Sequence, residues 1–137
     1  MAIGERELPR PTPETQNFWD GTMAGELRLQ QCGDCENVYF PPRHFCPGCG
    51  SKSVVVLRAS GRATLHSYVI SHLPAPGFEP PYAIAVAKLD EGPKMMCNIV
   101  DCPQTPVALV IDMPLEVSFE KINDDITLAQ FKPVRGQ

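Results

Sequence analysis

No run of apolar residues in this chain approaches the ~20 needed to cross a bilayer as a helix, so no membrane association is expected. The opening residues, MAIGERELPRPTPE, lack the apolar core of a secretory leader and predict a cytoplasmic, reducing setting in which thiols stay free for metal. Cations are scarce as well: 12 Lys and Arg against 16 Asp and Glu give a formal charge of −4. Around the cysteines the basic residues are Arg43, Lys52, Arg58 and Arg62, offset by Asp34 and Glu36. That is too thin for a phosphate backbone, whose binding grows with every phosphate neutralised, so no nucleic-acid partner is expected; one or two phosphates on a small ligand stay within reach. With only 3 histidines, scattered, no Ser-His-Asp set or carboxylate pair can be assembled. The chain is therefore not expected to be an enzyme by itself. Repeats, low-complexity tracts and heptads are missing too. The remainder, 43% hydrophobic and 20% charged over 137 residues, suits one core with a small metal-stapled appendage.

Against these absences stands one dense motif. Cys32-x-x-Cys35 and Cys46-x-x-Cys49 are separated by ten residues, which brings four thiolates onto two tight turns, enough to enclose one tetrahedral ion. The second turn, Cys46-Pro47-Gly48-Cys49-Gly50, has the composition of a knuckle whose N–H groups turn toward the sulfurs. Two disulfides or four buried thiols are the plain alternative. Zinc is preferred as a structural ion, and rubredoxin-type iron has the same four-thiolate geometry, so iron is not excluded. Four sulfurs fill the coordination shell and leave no position for activating water. His44, between the pairs, is a ligand only in a three-cysteine variant. Cys97 and Cys102 read as small buried or loop cysteines, and Cys97 has no base nearby to make it a nucleophile.

The rest of the chain predicts a mainly β protein: a short N-terminal helix, the ribbon, then a small OB-type barrel. Residues 1–25 form an arm and a helix from Pro13 to Ala24, with Thr12 as N-cap and Pro13 at the first helical position. Residues 26–52 form the ribbon, entered by a strand at Leu27–Gln30, with Val38–Arg43 as its hairpin turn. Residues 53–137 form the barrel. Its strands are read at Val54–Ala59, Ala63–Ser71, Tyr82–Leu89, Lys94–Val100, Leu115–Lys121 and Ile126–Phe131, from β-branched runs and period-2 alternation. Closure would remove the exposed edges; an open sandwich is the alternative.

Taken in order, Phe18-Trp19, Leu27-x-Leu29, the two knuckles with Phe40-Pro41-Pro42-Arg43 between them, Ser60-Gly61-Arg62, Pro81-Tyr82, Asn98-Ile99 and Met113-Pro114 resemble one family. These are the rubredoxin-like zinc ribbon plus OB-fold proteins catalogued as domain of unknown function thirty-five, and the likeness runs over about residues 13–133. Ala63 and Asp112 depart from it, standing where members usually carry glycine. The resemblance implies a non-catalytic accessory subunit that pairs with a thiolase-fold enzyme (a thiolase, a lipid-transfer-type thiolase or aldolase, or a hydroxymethylglutaryl-CoA synthase) in lipid or aromatic degradation. It implies a hetero-oligomer in which the barrel holds or channels a CoA thioester.

Candidate contacts follow from that. Arg43 and Arg62 are candidates for CoA phosphates through charge-assisted bonds, or else solvated surface cations. His66, Tyr68, Ile70 and His72 alternate along one strand and are expected on one face, as a polar cluster toward a ligand or as ordinary barrel side chains. Phe18 and Trp19 are candidates to anchor a partner, or to cover the ribbon's own core. The apolar, proline-rich loop Leu73–Pro81, with Pro76 and Phe78, is expected to form an interface or a tunnel mouth. Two other classes stay open: an OB-fold binder of single-stranded nucleic acid and a rubredoxin-like electron carrier.

Overall fold

The computed structural model describes residues 8–134. One helix, α1 (Gln16–Met23), precedes β1 (Arg28–Cys32), β2 (Val38–Tyr39), β3 (Val54–Arg58), β4 (Arg62–Ser71), β5 (Tyr82–Leu89), β6 (Lys94–Cys97), β7 (Pro114–Lys121) and β8 (Thr127–Pro133). The first three strands form an antiparallel sheet in the order β2-β1-β3, and the other five a sheet in the order β6-β5-β4-β7-β8. The second sheet curls until its edges meet. Val100 N–H donates to the Phe131 carbonyl (2.8 Å) and Phe131 N–H to that of Asn98 (3.1 Å), a parallel bridge joining the chain after β6 to β8. The barrel is thus closed, in the OB arrangement, and no open sandwich forms.

Alternation explains the barrel's interior. β5 buries every second residue, Ala83, Ala85, Ala87 and Leu89. Small alanines on that face leave room for Leu65, Leu115 and Phe131, all at or near zero exposure, inside a narrow barrel. The same core takes in Phe18 of α1 and Leu27 and Leu29 at the entry to the ribbon, so helix, ribbon and barrel are packed as one body.

Three sequence expectations are corrected here. The helix begins at Gln16, with Thr15 at its N-cap, and not at Pro13; residues 13–15 form a turn leading into it, in which the Thr12 carbonyl accepts both Thr15 N–H (3.0 Å) and Gln16 N–H (2.8 Å). Helix α1 ends as expected near Gly25, whose φ of 78° lets Glu26 N–H reach the Gly21 carbonyl (2.8 Å) and Gly25 N–H that of Thr22 (3.1 Å). Second, the division at residue 53 assigns Val54–Arg58 to the barrel, but that segment is β3 and pairs with β1 from Arg28↔Arg58 to Cys32↔Val54. Its β-branched run looks like a barrel strand; only its partner tells otherwise. Third, the strand read over Lys94–Val100 ends at Cys97, and residues 98–100 leave it to make the closing bridge.

Candidate functional site

The two knuckles repeat one construction. In the first, the Asp34 and Cys35 N–H groups donate to Cys32 Sγ (3.3 and 3.4 Å), and Glu36 N–H to the Cys32 carbonyl (3.0 Å). In the second, Gly48 N–H donates to Cys46 Sγ (3.3 Å) and Gly50 N–H to the Cys46 carbonyl (2.8 Å). Both turns end on a left-handed residue, Gly50 at φ 79° and Glu36 at φ 65°. Only the second has the glycine that this conformation favours. Outside the turns, Asn37 Nδ2 approaches Cys46 Sγ (3.8 Å), and Ser51 Oγ donates to the Asp34 carboxylate, tying the knuckles together.

The four Sγ atoms lie within 4.8 Å of one another. Cys32–Cys49 and Cys35–Cys46 are each 3.6 Å apart, with all four cysteines free of disulfides. A tetrahedral ion with bonds of about 2.3 Å to sulfur requires edges of about 3.8 Å, so the arrangement fits a four-thiolate metal. Electrostatics agree. At Cys32 the Cys35 N–H leads in holding the thiol below its usual range. At Cys46 burial pushes the thiol up, but the N–H groups of Cys49 and Gly48 and the Asn37 amide outweigh it and bring it down to about 6. At Cys35 the Asn37 N–H pulls down, yet the Cys46 and Cys49 sulfurs push harder and take it up to about 12. Cys49 is also raised: the Ser51 N–H and Cys35 lower it, and the Cys32 and Cys46 sulfurs with burial win. Four crowded sulfurs cannot all ionise unaided; a divalent cation in their midst lets them do so. Tyr39, packed with Cys32 and Cys46, has its phenol raised by burial and then by those two sulfurs.

The barrel carries the other candidate. The loop after β4 turns back on itself at Gly77 through an Ala75↔Phe78 bridge, and Phe78 stacks on Tyr82 with centroids 4.8 Å apart. Pro76, Phe78, Tyr82, Ile84, Met96 and Cys97 line a recess of about 400 Å³. Burial pushes the Cys97 thiol up to about 12, so it lines the recess as a hydrophobe and not as a thiolate nucleophile. A second, larger recess of about 610 Å³ lies between the end of β4 and residues 104–106. Gln104 fixes that side: its Oε1 accepts Ala83 N–H (2.8 Å), and its Nε2 donates to the carbonyls of Ile99 and Cys102 (both 3.0 Å).

The expected contacts divide on these surfaces. Pro76 and Phe78 meet in the first recess, and Tyr68, Ile70 and His72 in the second. His66 is separated from them, which corrects the one-face expectation. The β4–β5 register jumps from Leu65↔Ala87 to Ser67↔Val86, leaving His66 as an exposed bulge residue. A bulge shifts the alternation by one, so Ala63 and Leu65 face the core before it, and Tyr68 and Ile70 after it. Arg43 lines a groove with Glu14 and His44, whose carboxylate and ring meet at 2.8 Å. Arg62 is exposed at the start of β4, and neither arginine lines the two barrel recesses. Phe18 is 6% exposed and held by Trp19 and Phe40 at 5.0 and 5.1 Å, packed into the barrel core and not into the ribbon's own cluster; Trp19 stays half-buried beside it. Sequence reasoning missed Gln104, Tyr82 and Met96. A lone Gln in a loop gives no local signal, because its role is set by a strand end some twenty residues away.

Comparison with known proteins points one way. Residues 19–55 match the family described as the ChsH2 rubredoxin-like zinc ribbon domain, and residues 57–120 that of the ChsH2 C-terminal OB-fold domain. A DUF35 domain-containing scaffold protein of Methanocaldococcus jannaschii is 35% identical over 77% of this chain and 80% of its own length. A probable enoyl-CoA hydratase alpha subunit of Thermomonospora curvata is 33% identical over 94% of this chain, which spans only 41% of that relative. Among solved structures, a chain of an Ltp2-ChsH2(DUF35) aldolase superposes over 92% of this chain and 98% of its own, with a TM-score of 0.83 and 29% identity. With both halves matched in order and the four-cysteine centre intact, the chain belongs to the DUF35 family.

Proposed function

We propose that the chain is a non-catalytic accessory subunit of a cytoplasmic acyl-CoA-processing complex. It braces a thiolase-fold enzyme and helps seat the CoA thioester. The observation that carries this reading is the superposition of almost the whole chain on a chain of an Ltp2-ChsH2(DUF35) aldolase. The naming of a relative as a scaffold protein agrees with it. The chemistry of the chain itself supports the same role. Cys32, Cys35, Cys46 and Cys49 would hold zinc, which when bound supplies a structural cross-link between the knuckles; four sulfur donors leave it no open position. Cys97 is a protonated, half-enclosed thiol with no histidine or carboxylate in its recess, and His72 in the larger recess has no carboxylate among the residues that line it with it.

Within this reading Arg43 and Arg62 are the candidates for the CoA phosphates, and the recess of Pro76 and Phe78 is the candidate for an uncharged part of the thioester. His66, on its bulge, is the weakest of the ligand candidates. Purified alone, the chain should turn over no acyl-CoA, and co-production with its thiolase-fold partner should raise that partner's soluble yield or activity. Turnover by the isolated chain, or a partner indifferent to its presence, would refute the reading.

A further inference from the structure

The exposed apolar side chains are not scattered. Of the ten most exposed large hydrophobics among the described residues, five belong to two segments at one side of the barrel: Val69 and Leu73 on one, Val107, Val110 and Ile111 on the other. Geometry joins the segments. Residues 104–106 flank Tyr68–His72 across the larger recess, and further along Asp112 N–H donates to the Leu65 carbonyl (2.7 Å) and Leu65 N–H to that of Met113 (3.0 Å). The loop from 104 to 113 therefore runs back beside the second half of β4, the stretch that β7 leaves unpaired. Val107 is 89% and Leu73 76% exposed, so they stand on the rim and point outward. A small ligand in the recess would leave them in water; a macromolecular surface would not.

Charge narrows the occupant. Residues 63–87 and 95–120 contain no Lys or Arg, and Asp112 is exposed inside the Val110–Met113 run. A cation-free surface offers nothing to phosphates, which sets aside a nucleotide, a nucleic acid or an anionic membrane. It matches an apolar protein surface with a neutral or basic fringe. The loop of residues 104–113 is also anchored at both ends in advance, by Gln104 on Ala83 and by the hydrogen bonds of Asp112 and Met113 with Leu65, which lowers the ordering cost of binding there.

Resting on the accessory-subunit reading, we propose that the rim formed by Val69, Leu73, Val107 and Ile111 is the face on which the partner enzyme docks, through an apolar segment fringed by basic residues. The test uses the complete metal-loaded chain and the thiolase-fold acyl-CoA enzymes of its host, with affinity measured by calorimetry. Val107→Asp and Val69→Asp, both at exposed positions, should weaken the complex at least about tenfold each. Val56→Asp, also exposed (51%) but on β3 of the ribbon, should leave it within about twofold, with circular dichroism unchanged in all three. Equal binding by wild type and both rim variants would overturn the docking face and leave the accessory role standing. A wild-type chain that binds none of these enzymes would overturn both. A chain that dimerises alone, and loses the dimer in Val107→Asp, would give the face to a second copy and overturn the proposal.

Discussion

The ribbon and the loop side of the barrel face the same difficulty with different means. Each is a set of turns with little apolar core of its own. The ribbon's private core is Cys32, Tyr39 and Cys46 with Val54 against them, too small to order two knuckles unaided, and its order comes from sulfur ligands gathered round one ion. The barrel loops order themselves through one amide, Gln104, and through backbone pairing to Leu65, above a core that includes Leu65, Ile99, Leu109 and Phe131. One region is therefore contingent on an ion and the other is not. A module built this way has a shape set by metal at one end, and the proposed docking face at the other is set by packing.

Chelation is the strongest test of that contrast. Ribbon sites of this kind carry about 10–16 kcal/mol of apparent metal-binding free energy, so metal removal should abolish hydrogen-exchange protection at Asp34, Cys35 and Gly48. The amides of β4–β8 should keep most of theirs; equal loss in both regions would show that the barrel depends on the metal too. Next in size, Leu65→Ala should cost about 2–5 kcal/mol in urea unfolding while bound metal per chain is unchanged, because Leu65 is fully buried and lies in the barrel's own strand. Metal loss accompanying that substitution would mean that the two regions are coupled more tightly than their separate clusters indicate.

Smaller effects distinguish the ordering devices. Gln104→Ala leaves buried backbone groups at Ala83 and Ile99 without partners and should cost about 1–3 kcal/mol, with faster exchange of the Ala83 amide and no change at the knuckles. Glu36→Gly should be mildly stabilising, by up to about 1 kcal/mol, since it gives the first knuckle the residue that Gly50 gives the second. Its signature is a higher temperature for metal release, and a lower one would show that the Glu36 side chain matters more than its left-handed backbone.

Legibility followed the range of the determining contacts. The metal centre could be read because each knuckle's ligands, turn and N–H donors lie within five residues. The barrel strands could be read because β5 and β7 alternate along their own length. What escaped was set by register between distant segments: the bulge that turns His66 away from Tyr68, the membership of β3 in the ribbon sheet, and the clamp of Gln104 on Ala83. Asp112 shows both sides. The family resemblance marked it as a departure from glycine, and the structure supplies the reason glycine is favoured there, a φ of 69°. Ala63, the other departure, sits in an ordinary paired position of β4, where the backbone places no such demand.

The division of labour between an ion-held ribbon and a packing-held docking face is tested most directly by hydrogen exchange of the metal-loaded chain with and without the proposed thiolase-fold partner. The account predicts new protection at residues 69–73 and 104–111, with the knuckle amides of Asp34, Cys35 and Gly48 unchanged. New protection at the knuckles, with residues 69–73 and 104–111 exchanging as they do in the free chain, would contradict it.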